Sequence, residues 1–80
     1  MKVKYSELKV NDVIMWYGAK VRITKINRIK RVLNAKTQKE ENCTYFTIEP
    51  FDDNAVKILG SFYARGTYGG VDWLEVHKVG

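Results

Sequence analysis

Apolar residues run unbroken from Val13 to Tyr17, and after Gly18 they fall on alternate positions, with Val21 and Ile23 set between Lys20, Arg22 and Thr24. A short continuous apolar run ended by a turn residue reads as a buried strand, and strict alternation reads as a strand with one face in the core. The pattern therefore predicts a strand, a tight connection at Gly18 and a second strand, entered through a turn-rich lead-in at Leu8–Asp12. The period of two returns at Thr44–Phe51, where Phe46 and Ile48 take one side and Tyr45, Thr47 and Glu49 the other. Asp52–Asn54 reads as a turn and Ala55–Leu59 as the returning strand of a second hairpin; a one-turn helix capped by Asp53 and stopped at Gly60 competes with it. The last strand is Val71–His77, with Leu74 and Val76 directed to the core.

Two segments fall outside this pattern. In Asn27–Asn42, Ile26, Ile29 and Leu33 are spaced as for a helical face but Val32 spoils the stripe, so the segment reads as an extended or partly helical excursion. In Gly60–Gly70 four glycines interrupt three aromatics and an arginine, which reads as a loop with ligand-facing potential.

The elements make an all-β chain. Leu8–Val13, Gly18–Ile23, the Asp52–Asn54 turn and the closing Trp73–Val76 together resemble a small barrel of the Src homology 3 type, over most of the chain. The pattern is shared by ribosomal KOW-type, Tudor-type and plasmid or phage DNA-binding barrels. The resemblance implies a five-stranded, non-enzymatic binding barrel with a long basic excursion between strands 2 and 3, holding ligands at one open side through loops and aromatics. Peptide-binding motifs of that family are not visible, so recognition of proline-rich segments is not implied.

With 80 residues the chain is one domain over 1–80, of a size that buries roughly 60 to 65 % of its unfolded surface, too little for a deep enclosed active site. Cys43 is the single cysteine, which excludes an internal disulfide and suits a reducing interior. No run approaches the roughly 20 apolar residues of a membrane span, and Met1–Tyr5 does not lead into a signal-peptide core, so the expected location is the cytoplasm, with no membrane partner.

Charge changes the picture most. Residues 1–39 hold 11 basic and 2 acidic side chains, and residues 40–80 hold 3 basic and 7 acidic. From Val13 to Lys39 there is no carboxylate at all, which suggests a face for a polyanion. Inward Val21 and Ile23 place Lys20 and Arg22 outward together, and Lys25, Arg28, Lys30 and Arg31 extend the set toward a groove able to track phosphates. Nucleic acid or an acidic protein surface is the expected partner. A solvated basic face that serves only solubility is the plain alternative.

Trp16, Tyr17, Tyr45, Tyr63, Tyr68 and Trp73 are candidates for stacking on bases or on a partner. With Leu74 in the core, Trp73 must face out, beside Tyr63, Arg65 and Tyr68. This second candidate site suits a small phage-type inhibitor that docks on a host protein or sequesters a nucleotide signal. Gly66–Gly70 lacks a following Walker-type lysine, Cys43 and His77 make a catalytic pair only if they touch, and Asp52 with Asp53 stands at no metal-ligand spacing. No enzyme, cofactor or metal is therefore expected.

Overall fold

In a computed structural model the chain is described over residues 1–79, apart from the side chains of Arg31, Val32 and Asn34. Six strands, β1 (Lys2–Lys4), β2 (Val13–Trp16), β3 (Ala19–Asn34), β4 (Lys39–Pro50), β5 (Thr67–Val71) and β6 (Glu75–Val79), form one sheet in the order β1-β6-β2-β3-β4-β5. All pairings are antiparallel. A helix α1 (Asp53–Tyr63) leads from β4 to β5, and a single 3₁₀ turn (Tyr5–Glu7) follows β1.

The chain is thus mostly β, as its alternation predicts, but it has six strands and a helix where five strands were expected. The first hairpin is as expected: Trp16 pairs with Ala19 across Tyr17 and Gly18, both of which have positive φ, the geometry that matches strand twist in a two-residue loop. Val21 and Ile23 are fully buried between exposed Arg22 and Thr24.

Ala55–Leu59 is helix and not strand. Asp52 accepts a hydrogen bond from the Ala55 N–H at 3.0 Å, so the residue before the expected Asp53 is the cap. The helix lays Ala55 and Leu59 on the core, an i, i+4 pair, and runs through a kink at Gly60 (φ 83°) to Tyr63. The expected loop at Gly60–Gly70 holds the end of this helix and the whole of β5. The excursion at Asn27–Asn42 is extended throughout: it is the far half of a β3–β4 ribbon joined by a turn at residues 35–38. The closing strand is displaced toward the C-terminus, to Glu75–Val79, and Asp72–Trp73 form a turn before it.

The sheet rolls up without closing. In a flat sheet β2 and β5 would lie about 14 Å apart, yet the Trp16 ring on β2 meets Tyr68 on β5 with centroids 5.3 Å apart and Phe46 on β4 at 5.3 Å. Tyr5 meets the same Phe46 edge-on at 5.3 Å. No ladder joins the two edge strands β1 and β5. The 3₁₀ turn fills the gap, its Tyr5 and Ser6 N–H groups donating to the carbonyl oxygens of Leu74 and Asp72 at 2.8 and 3.2 Å. Inside the roll, Leu8, Ile14, Val21, Ile23, Phe46 and Ile48 form the core. Sixteen residues of straight β3 would span about 50 Å, more than the 40 Å longest dimension of the molecule. The strand must bend, and it does so at two bulges, where extra residues fall between Ile23 and Lys25 and between Ile29 and Val32.

Candidate functional site

The first bulge decides which cations of β3 are available to a partner. Up to Ile23 the odd positions face the core, so Lys20 and Arg22 lie on the outer face. Thr24 is the extra residue, and beyond it Ile26 pairs with Phe46, so even positions now point inward and odd ones outward. Lys25 and Asn27 therefore continue the outer face of Lys20 and Arg22. Arg28 takes the opposite direction.

Arg28 is exposed, but its guanidinium is engaged by the fold. Its Nη1 donates to Thr44 Oγ1 at 2.9 Å and its Nη2 to the Leu8 carbonyl oxygen at 2.7 Å, while Thr44 Oγ1 donates onward to Asp72 Oδ1 at 2.7 Å. The guanidinium joins the lead-in, β4 and the β5–β6 turn across the end of the roll. Of the cations expected to form the polyanion surface, this one is placed to hold the fold.

Lys20, Arg22, Lys25 and Lys30 are not held in this way. Arg22 pairs with Glu49 opposite it on β4, Nε donating at 2.7 Å and Nη2 to the same oxygen. The pair is exposed, and such pairs contribute about 0.2–1 kcal/mol, little enough for a phosphate to compete. Lys20 Nζ stands 5.4 Å from the centroid of the Phe51 ring, a cation–π contact. Lys25 and Lys30 are exposed and, among the described residues, have no carboxylate within ion-pair distance. The side chain of Arg31 lies outside the described residues.

Lys25 also borders a depression of about 390 Å³ on the outer face, lined by Lys25, Asn27, Ile29, Tyr45, Thr47 and Thr67. Register explains the composition. Lys25, Thr47 and Thr67 form one row across β3, β4 and β5, and Asn27, Tyr45 and Gly69 form the next. A Cβ on Gly69 would collide first with the β4 backbone, at the Thr44 carbonyl oxygen and at Tyr45 Cα (2.6 Å), and then with Cδ1 of the Tyr45 ring at 2.8 Å, so the glycine admits both the close approach of β4 and the ring over β5. Thr47 and Thr67 share a hydroxyl–hydroxyl hydrogen bond at 2.9 Å. No carboxylate lines the depression. Tyr45 is among the aromatics singled out in the sequence; Asn27, Thr47 and Thr67 are not, and their only signal is the outward phase opposite Phe46.

The second candidate set is divided by the structure. Tyr68 packs against Trp16 with the rings tilted by 42° and donates its hydroxyl to the Tyr63 carbonyl oxygen at 2.9 Å. Tyr63 meets Phe62 edge-on at 5.5 Å, and Tyr17 meets Trp16 at 5.2 Å, giving an aromatic rim from the β2–β3 turn to the end of α1. Phe62, Tyr17 and Tyr63 are 81%, 79% and 62% exposed. Arg65 lines a second open depression of about 500 Å³ with Ser61, Phe62 and Gly66. Trp73 is exposed as its alternation against Leu74 requires, but it sits beyond the opposite end of β5, where its Nε1 donates to Glu41 Oε1 at 3.1 Å. It does not join Tyr63, Arg65 and Tyr68.

Cys43 is buried in β4 opposite Ile29 and Val71, whereas His77 is exposed on β6 with its Nδ1 3.4 Å from the N-terminal amine. The two are not brought together. Among the described residues no cluster of His, Cys, Asp or Glu could hold a metal ion, and no helix is long and apolar enough to cross a membrane. Burial raises the pKa of the Tyr5 hydroxyl above its ordinary value, with Tyr17 adding to the effect. No family model matches the chain, and neither a curated protein nor a solved structure matches it.

Proposed function

We propose that this protein binds nucleic acid on the outer face of β3 and β4, without catalysing a reaction. The observation that carries the reading is the juxtaposition of Lys25 with a carboxylate-free depression that also presents Tyr45 and hydrogen-bonding groups. Lys20 and Arg22 precede Lys25 on the same face. A polyanion laid along β3 would thus meet three cations over about 17 Å, from Lys20 to Lys25. The rolled sheet, with Tyr5 and Trp16 both on Phe46, supports an open relative of the Src homology 3 type of barrel as the scaffold.

The test is salt. Affinity for a labelled oligonucleotide, read by fluorescence anisotropy, is expected to fall linearly with log salt concentration as counterions are released. Lys25→Ala should reduce that slope by about 0.7 for a single strand, the value of one phosphate contact. No binding at low salt would end the reading.

A second reading, docking of a protein partner, is favoured by the exposed rim of Tyr17, Phe62 and Tyr63 beside Arg65. Under it, the double variant Phe62→Ser, Tyr63→Ser loses partner binding and keeps oligonucleotide affinity.

A further inference from the structure

The depression beside Lys25 has a chemistry more specific than attraction to phosphate. A basic strand alone would hold single and double strands through the same backbone contacts. Here the cation borders a concavity with an aromatic ring, an exposed amide and two hydroxyls. We propose that this depression is a base-binding subsite for single-stranded nucleic acid, in which one unstacked base lies against Tyr45 while Lys25 takes a neighbouring phosphate. The inference rests on the nucleic-acid reading above and names the form of nucleic acid that the same face selects.

Size and shape support this choice. A volume of about 390 Å³ lies at the small end of ligand sites, which run from about 300 to 1,000 Å³. It has room for one nucleotide unit and none for a helix. In a duplex the base faces are covered by stacking, so a duplex presents only its phosphates and groove edges to such a surface. A single strand can turn a base in. Tyr45 can receive it because Gly69 carries no side chain to displace the ring from its place over β5. Every base has a π-face, so stacking there is tolerant of sequence.

The polar groups are arranged around the ring. Asn27 is directly opposite Tyr45 in the β3–β4 register and is exposed, with a donor and an acceptor to offer a base edge. Thr47 and Thr67 use one hydroxyl hydrogen on each other, which leaves one to donate. Lys25 is one row from Tyr45, about 7 Å along the strand, and so can meet a phosphate beside the base. With no carboxylate lining the depression, an anionic ligand meets no opposing charge there.

The experiment compares a single-stranded oligonucleotide of about 12 nucleotides with a blunt-ended duplex of the same length and no unpaired bases, both labelled and measured by anisotropy over a salt series. Wild-type protein is expected to bind the single strand more tightly. Tyr45→Phe should keep that preference, whereas Tyr45→Leu should lose about 5- to 100-fold of single-strand affinity, with the salt slope and the duplex affinity unchanged. Asn27→Leu, a neutral change of similar volume at an exposed position, should show the same selective loss by removing the amide offered to a base edge, and it decides the matter if Tyr45→Leu does not fold. Single-strand affinity unaltered in the folded variants, or lost equally for the duplex, overturns the subsite and leaves the nucleic-acid reading standing. Failure of wild-type protein to bind either probe at low salt overturns both.

Discussion

Arg28 and Asp72 meet on a single hydroxyl, that of Thr44, which accepts from the guanidinium at 2.9 Å and donates to the carboxylate at 2.7 Å. Thr44 is fully buried, and the three residues come from β3, the β5–β6 turn and β4. A cation and an anion, both still reached by solvent, satisfy the one buried hydroxyl between them.

Thr44→Val keeps the shape of the side chain and removes the hydroxyl. Arg28 loses one acceptor and Asp72 its donor, a loss of about 1–3 kcal/mol. Urea unfolding should show a lower midpoint with an unchanged m value. Oligonucleotide affinity of the folded variant should stay at the wild-type level, since Arg28 does not face the outer surface. A drop in affinity with the stability intact would place Arg28 in the interface instead.

Helix α1 starts on the Asp52 carboxylate, which accepts from the Ala55 N–H at 3.0 Å. Asp52→Ala should cost about 1 kcal/mol, within the range measured for lost N-caps. In a chain of this size the melting temperature should drop by roughly 4–8 °C. Asp53→Ala should cost less, because that residue lies inside the first turn and caps nothing.

Tyr5 sets a limit on stability at alkaline pH. Burial holds its folded-state pKa above the ordinary tyrosine value of about 10, so the folded protein keeps a proton that the unfolded chain releases. Below pH 10 the corresponding stability is fully present, and it is lost as pH rises through the folded-state pKa. Tyr5→Phe has no proton to lose. Denaturant titrations from pH 9 upward should show a decline in the wild-type protein that is shallower in the variant, and parallel declines would remove Tyr5 as the cause.

What could be read from the sequence follows physical lines. Val21 with Ile23 and Phe46 with Ile48 were legible because alternation over a strand buried on one face has few other solutions. Ala55–Leu59 was ambiguous, since Val56 and Ile58 on either side of Lys57 fit a strand while Ala55, Val56 and Leu59 fit a helix. The carboxylate of Asp52 settles it, and a capping residue looks the same as a turn residue in one dimension. Strand β5 was hidden by Gly69 and Gly70, whose composition indicates a loop. Their reason is tertiary: the β4 backbone at Thr44 and Tyr45, with the Tyr45 ring, fills the space above one, and Leu74 the space above the other. The candidate cations were all legible as cations. Their direction was not, because it depends on a bulge that leaves no mark in composition.

That bulge has a consequence of its own. Thr24 is an exposed residue whose hydroxyl makes one long bond, to the Thr47 carbonyl oxygen at 3.3 Å. By being present it turns Arg28 toward Thr44 and the Leu8 carbonyl oxygen, and Lys25 to the outer face. Deleting it would exchange the two sides of everything that follows on the strand, sending Lys25 and Asn27 inward and Ile26 out into water. A residue with almost no chemistry thus acts as the reading frame of the surface, and an insertion or deletion there would alter this protein more than the loss of any one charge.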